Sequence, residues 1–153
     1  PLSISTKVNT AKEKVTLNLA GSDQYIISLN DIVFETFGSS QKELPLQKGL
    51  NIIEVRTNLS CQGSHKEMIY LDNSSTLYPN PVQDNLTVLI GGNSSQVQLF
   101  IYDIQGNQLY VQAAQLDELN RSIGLEVEDY PAGNYIVKLV RGEKVETLKF
   151  IKQ

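Results

Sequence analysis

Apolar and polar residues alternate with a period of two along most of this chain of 153 residues. Val15, Leu17 and Leu19 are separated by polar residues, and a second run beginning at Tyr25 repeats the pattern with Ile27 and Leu29. Successive side chains of a β-strand point to opposite faces of a sheet, so this alternation predicts strands with one buried face. Sustained helical periodicity is missing from the sequence. The fold class that we expect is therefore all-β.

Short turn-forming stretches separate the alternating runs. In the first half, strands are expected at 31–36, 42–46, 50–57 and 67–71, and glycine-containing turns include Gly38, Ser39 and Ser40. In the second half, strands are expected at 86–90, 97–103, 108–112, 123–128, 134–140 and 144–152. The glycine turns at 91–93 and 141–143 are expected to be hairpin connections. This spacing predicts two small antiparallel immunoglobulin-like β-sandwiches in tandem.

The composition changes in the middle of the chain. A polar stretch without an apolar anchor consists of Asp72, Asn73, Ser74, Ser75 and Thr76, and it is the best candidate for an exposed linker. Two prolines follow closely, and proline enters a sheet only at an edge or at the start of a strand. We therefore expect two domains, at residues 1–72 and 76–153. Each has roughly 75 residues, which is near the lower limit for an independent core.

Composition excludes several classes of function. The formal net charge of −4 provides no basic surface for nucleic acid, and no apolar run approaches the length of about 20 residues that a membrane-spanning helix needs. One cysteine, Cys61, and one histidine, His65, do not make a metal site or a catalytic triad. We expect no cofactor, no metal and no catalytic residues. Because the chain begins with Pro1, we expect it to be the C-terminal piece of a longer polypeptide.

The second half contains four short motifs in a fixed order. They comprise Tyr78, Pro79, Asn80 and Pro81 followed by Asp84 and Leu86; the run 97–103 with Gly106; Gly133 with Tyr135; and Lys149 with Lys152. In this order and spacing, the motifs resemble the C-terminal sorting domain of the type IX secretion system, which is found on exported proteins of the Bacteroidetes. That family usually has leucine before the position of Pro131, where this chain has Tyr130. We expect Tyr130 to fill the core in the same way.

The resemblance implies that the second domain is a transport signal. Such domains are recognised in the periplasm, pass through an outer-membrane translocon with a shuttle protein, and are often removed by a surface sortase. The cargo is then attached to anionic lipopolysaccharide or released. The implied location is the cell surface or the medium, and the residues given most weight are Gly133, Tyr135, Lys149 and Lys152. If a sortase acts, we expect cleavage in the linker at residues 72–76.

The last predicted strand suggests how the signal could be recognised. Its alternation places Leu148, Phe150 and Lys152 on one face, and Val145, Thr147, Lys149 and Ile151 on the other. At a sheet edge, free backbone groups of this strand could pair with a receptor strand, while the lysines would discourage other pairing. The hypothesis is that the terminal strand is the recognised surface. Ordinary solvated charges are the alternative interpretation of the two lysines.

The first half resembles, more weakly, the small sandwich modules that often precede such sorting domains. A spacer is favoured over a glycan-binding module, because the chain has no tryptophan to serve as an aromatic platform. Two alternatives stay open for the chain as a whole. It could be a fragment of an adhesin that binds a host or glycan ligand, or an accessory module of an upstream secreted enzyme.

Overall fold

The computed structural model describes residues 1–37 and 41–153, so the turn expected at Gly38, Ser39 and Ser40 lies outside the described residues. Within these ranges the chain forms fourteen β-strands and one short 3₁₀ turn, Ser60–Gln62. The strands form two compact units, Pro1–Leu71 and Asp72–Gln153. The all-β class is confirmed.

Unit 1 (Pro1–Leu71) consists of two antiparallel sheets. Its strands are β1 (Ser3–Asn9), β2 (Lys14–Ala20), β3 (Gln24–Leu29), β4 (Ile32–Phe37), β5 (Gln41–Pro45), β6 (Gly49–Thr57) and β7 (Ser64–Leu71). One sheet has the order β1-β2-β5 and the other β4-β3-β6-β7. Val15, Leu17 and Leu19 of β2 are buried, as are Tyr25 and Ile27 of β3. The alternation in the sequence therefore predicted the core faces of both strands.

One strand of unit 1 was not predicted. The inward face of β1 carries Ile4, Thr6 and Val8. The polar Thr6 in the middle of this face interrupts the apolar pattern by which a strand is recognised in the sequence. The strand nevertheless pairs with β2 along its full length, from Ser3 opposite Ala20 to Asn9 opposite Lys14. Pairing with a strongly amphipathic neighbour compensates for its weak local pattern.

Unit 2 (Asp72–Gln153) has the same division into three and four strands. Its strands are β8 (Thr76–Tyr78), β9 (Asn85–Leu89), β10 (Gln96–Asp103), β11 (Gln108–Gln115), β12 (Ser122–Glu126), β13 (Gly133–Arg141) and β14 (Lys144–Lys152). The sheets have the orders β11-β10-β13-β14 and β12-β9-β8. Buried side chains from both sheets, among them Leu86, Leu99, Val137 and Phe150, form one hydrophobic cluster. The second predicted sandwich is thus present.

One of the two predicted hairpins of unit 2 is wrong. The turn at 141–143 does join paired strands, since Arg141 of β13 lies opposite Lys144 of β14. The turn at 91–93 instead leads from β9 to β10, which belong to different sheets. Glycine is needed at Gly91 because a Cβ there would lie 2.6 Å from the backbone carbon of Ser74. Close backbone approach, not hairpin geometry, explains this glycine.

A buried arginine holds the crossing from β9 to β10 in place. The Arg121 guanidinium donates to the carbonyl oxygens of Ile90 at 3.3 Å, Gly91 at 3.1 Å and Ser94 at 2.6 Å. Burial and the nearby Arg141 charge lower the pKa of Arg121 from its ordinary value. Three backbone acceptors replace the water that this cation loses on burial.

Candidate functional site

Most of the predicted sorting residues lie at one end of unit 2. Tyr135 of β13 lies opposite Phe150 of β14 and opposite Asp103 of β10, which precedes the turn that contains Gly106. Gly133 lies opposite Lys152 at the end of the last strand. Residues that are far apart in the sequence therefore meet where β14 ends.

Asn80 and Val82 bind the outer edge of the last strand, and we call these two residues the clasp. The Asn80 side chain accepts from the Ile151 N–H at 2.9 Å and donates to the Lys149 carbonyl at 3.2 Å. The Val82 N–H donates to the Ile151 carbonyl at 2.8 Å, and the Val82 carbonyl accepts from the Gln153 N–H at 2.9 Å. Val82 is fully buried and forms a parallel bridge with Lys152. The clasp acts as a short extra strand.

The clasp changes the hypothesis that the backbone of the terminal strand is free. β14 is an edge strand of its sheet, as the hypothesis required. The outward backbone groups of Ile151, however, already bond to Asn80 and Val82. A receptor strand could pair with residues 149–153 only after the clasp has left, because each N–H group donates to one strong acceptor at a time.

The two lysines of the last strand have different environments. Lys149 is exposed on the outer face of the sheet, as the alternation predicted. Lys152 has only 8% of its surface exposed, and its Nζ donates to the Gln153 carbonyl at 2.8 Å. The interpretation of both lysines as ordinary solvated charges is therefore wrong for Lys152. Its carbon chain shares the inward face with Phe150, while the ammonium group reaches the edge of the core.

Tyr135 forms a tyrosine corner at the start of β13. Its hydroxyl donates to the Pro131 carbonyl, four residues upstream, and its buried ring lies between Tyr130 and Phe150 with centroid distances of 5.3 and 5.2 Å. Such a bond from a tyrosine near a strand start back to the preceding backbone is typical of immunoglobulin-like sandwiches. Tyr130 packs against the core where the family usually has leucine, as expected. Gly133 has φ +154°, which L residues rarely adopt.

The other predicted residues have mainly structural environments. Leu86 is fully buried in the core, and the Asp84 carbonyl accepts from the Val127 N–H at 2.8 Å. Gly106 has φ +88° in the turn between β10 and β11, where its N–H donates to the Asp103 carbonyl. Tyr78 ends β8 with a partly exposed ring. Pro79 and Pro81 flank Asn80 on the exposed path into the clasp.

The structure does not support the expectation of an exposed linker at residues 72–76. Ser75 is buried, and its N–H and hydroxyl donate to the two Glu146 carboxylate oxygens at 3.0 and 2.7 Å. The Ser75 hydroxyl also accepts from the Gly91 N–H at 2.9 Å, and the Arg141 guanidinium donates to the Asn73 carbonyl. These residues belong to unit 2, with Thr76 already in β8.

An ion pair supports this attachment from the β13–β14 hairpin. Arg141 Nε donates to the Glu146 carboxylate at 2.7 Å, and both side chains are largely buried. Burial raises the pKa of the Glu146 carboxyl, but the hydrogen bonds from Arg141 and Ser75 favour its charged form more strongly. Its pKa is therefore lowered from the ordinary value of 4.5.

Sequence reasoning missed Val82, Arg141 and Glu146. Arg141 and Glu146 flank a hairpin and resemble ordinary surface charges, and no local signal identifies their partner Ser75, which is 71 residues from Glu146. Val82 follows Pro81 directly, and its isolation from any alternating run indicates no strand. Each of these residues is defined by a long-range contact.

The described residues include no helix long and apolar enough to span a membrane. Over the same ranges, no three potential ligands among His, Cys, Asp and Glu come together as a metal site would require. Cys61 is exposed in the 3₁₀ turn, and His65 Nε2 lies 2.8 Å from the Glu67 carboxylate.

Seven antiparallel strands in sheets of three and four, together with a tyrosine corner, define unit 2 as an immunoglobulin-like β-sandwich. Residues 76–153 match the family described as the secretion system C-terminal sorting domain. The chain therefore belongs to the family of type IX secretion C-terminal sorting domains, and the resemblance seen in the four motifs is confirmed. This domain gives the chain a sorting role, which implies interaction with the secretion system and export to the cell surface or extracellular space.

Several solved structures match the chain at low sequence identity. An immunoglobulin-like β-sandwich protein of the DUF3244 family from Bacteroides vulgatus is 16% identical, with a TM-score of 0.42, over 54% of this chain and 97% of that one. Dimeric latent PorU from Porphyromonas gingivalis is 13% identical, with a TM-score of 0.38, over 99% of this chain. The match spans only 20% of the PorU chain. No curated protein sequence matches the chain.

We expect Asn80→Ala to weaken the attachment of the last strand by about 1–2 kcal/mol, because two hydrogen bonds to β14 are lost. Hydrogen exchange of the Ile151 amide measures this change directly. Asn93→Ala, at another exposed asparagine of unit 2, is the control and should leave that amide unchanged. Equal protection of Ile151 in both variants would contradict the role of the clasp.

We expect Tyr135→Phe to lower the free energy of opening of β13 by about 1 kcal/mol, because the Pro131 carbonyl loses its donor. Tyr110→Phe is a matched control, since the hydroxyl of the exposed Tyr110 donates to the Gln112 side chain at 2.8 Å and not to a backbone carbonyl. Hydrogen exchange across β13 and β14 reports both changes. A loss of stability in Tyr110→Phe that equals the loss in Tyr135→Phe would remove the case for the tyrosine corner.

We expect Glu146→Gln to destabilise the contact between residues 72–76 and the β13–β14 hairpin by about 2 kcal/mol at neutral pH. Because the folded pKa of Glu146 is lowered, its contribution is complete above the ordinary value of 4.5 and is lost as the pH falls through the folded pKa. The difference between wild type and variant should therefore shrink in acid, as measured by exchange of the Gly91 amide. Glu143→Gln, at the exposed hairpin turn, should have little effect at either pH.

Proposed function

We propose that unit 2 directs translocation across the outer membrane by the type IX system, and that unit 1 is a non-catalytic spacer or adhesive module carried with it. The observation that carries the proposal is that the family match at residues 76–153 falls within the compact unit Asp72–Gln153. The signal is then a folded sandwich and not a short linear tail. In this proposal the domains are residues 1–72 and 76–153.

The outer face of the last strand is the surface that we assign to recognition by the translocon and its shuttle protein. Lys149 is exposed there beside Ile151 and Val145, which are also exposed. The backbone of residues 149–153 is already bonded to the clasp, so side chains on this face are more accessible than its N–H and C=O groups. Gly133 and Tyr135 contribute indirectly, because they lie in β13 and pair with Lys152 and Phe150 of the last strand.

Cleavage by a surface sortase within residues 72–76 is also part of the proposal. The side chains of Asn73 and Ser74 are exposed, whereas Ser75 is buried against Glu146. Proteases bind several residues of their substrate in an extended form, so this stretch must first detach from Glu146 and Arg141. The cargo is afterwards attached to lipopolysaccharide or released.

A fusion experiment tests the sorting role. An exported reporter is joined to residues 1–153 or to residues 1–71 and expressed in a Bacteroidetes host with and without a functional type IX system. We expect the complete chain to bring the reporter to the surface or medium only in the competent host, while residues 1–71 leave it in the periplasm. Export of the shorter fusion, or export of the longer one without the system, would contradict the proposal.

Two lysine variants of the complete fusion test the recognised surface. Lys149→Glu should lower export severalfold because it reverses the charge on the proposed face, whereas Lys7→Glu, the same charge reversal at an exposed lysine of β1 in unit 1, should not. Circular dichroism and hydrogen exchange establish that both variants fold.

Mass spectrometry of the exported product shows whether the chain is cut within residues 72–76, and an intact C-terminus on all exported molecules would reject processing.

A further inference from the structure

The four-stranded sheet of unit 2 has two edge strands, β14 and β11. The clasp binds β14, and β11 forms the other edge. Its eight residues run from Gln108 to Gln115. Leu109, Tyr110 and Val111 expose large apolar side chains in the middle of this edge. Edge strands present a row of backbone donors and acceptors that another strand can use, and proteins usually protect such edges.

The protection found at the other edges is missing from β11. The four sheets have two edges each, formed by β1, β5, β4, β7, β11, β14, β12 and β8. Each of these strands includes a residue that is charged at neutral pH, except β11 and the three-residue strand β8. β14 carries Lys144, Glu146, Lys149 and Lys152, and its last residues are covered by the clasp. The long edge without charge is therefore β11.

The register shows which backbone groups of β11 face outward. Hydrogen-bonding direction alternates along antiparallel strands, and the N–H and C=O groups of Ile151 point away from β13 toward the clasp. Continuing this alternation through β13 and β10 places the N–H and C=O groups of Val111 and Ala113 on the free edge. The irregular pairing of this sheet lies at Ile101 and Tyr102, so this stretch is regular.

We propose that unit 2 self-associates by antiparallel pairing of β11 with β11 of a second copy. The two four-stranded sheets then become one continuous sheet across a twofold axis. The neutrality of the strand favours a second copy over an unlike partner. Two identical strands that carry no charge do not repel each other, whichever residues lie opposite. Strands that choose an unlike partner commonly use complementary charges for that choice, and β11 has none. Apolar contacts from Leu109 and Val111 add to the backbone bonds.

An interface of one strand pair is small, so we expect a weak dimer. The test uses sedimentation velocity and light scattering on the complete 153-residue chain, over a concentration series that reaches the millimolar range. Wild type should change from monomer to dimer along the series. Val111→Lys should raise the dissociation constant by about tenfold, because it places two lysines in the same interface.

Val145→Lys is the matched control. Val145 is 55% exposed and Val111 53%, and the two valines lie on opposite edge strands of the same sheet. The control should dimerise as wild type does. Ala113→Pro is a second variant that removes one outward N–H without removing a bond to β10, so it tests the same interface if Val111→Lys fails to fold.

Hydrogen exchange locates the contact. Protection of the Val111 and Ala113 amides should rise with protein concentration in wild type and stay constant in Val111→Lys. A chain that is monomeric throughout the series would overturn the proposal, as would equal weakening by Val145→Lys. Capture of β11 by a strand of another protein, with no self-association, would also reject it. None of these outcomes depends on the sorting role, since the measurement needs no secretion system.

Discussion

The hydrogen bonds between the clasp and the last strand hold the entry and the end of unit 2 together. Asn80 and Ile151 are 71 residues apart, yet the Asn80 side chain bonds to the Ile151 N–H and to the Lys149 carbonyl, on either side of Phe150. The entropic cost of closing so long a loop grows only slowly with its length. Without the clasp, the C-terminal end of β14 would be bonded through β13 alone, and Phe150 would depend on a strand end that is open on one side. The hydrogen bonds of the clasp therefore fix both the terminal strand and the position of Phe150 in the core.

Period-two alternation predicted most of the fold, because burial of one strand face is a local property of the sequence. The last strand was expected at residues 144–152 and is found there. The same reasoning failed at Ser75 and Gly91, whose partners are distant. A polar run is a linker only if water satisfies its hydrogen bonds, and here Glu146 replaces water at Ser75. Composition alone cannot distinguish these two cases.

The candidate site could be predicted in its residue types but only partly in its geometry. Alternation correctly placed Lys152 on the same face as Phe150, which is the core face. The general rarity of buried lysine argued against that result, and the local pattern was the better guide. For Asn80, the sequence showed a residue confined between two prolines but gave no indication of its partner. In the sequence, the proline tract only marks a break in the alternating pattern. In the structure, Asn80 within this tract bonds to the last strand.

The two edges of the large sheet of unit 2 differ in how they limit pairing. Charges and the clasp close the end of β14 to an added strand, so a partner that recognises this end must contact side chains such as Lys149 or first displace Asn80. β11 has neither charge nor cover along its regular stretch. Recognition through side chains at one edge and association through backbone at the other are compatible, because two intervening strands, β10 and β13, separate the edges. A copy paired through β11 would leave Lys149 exposed on both molecules.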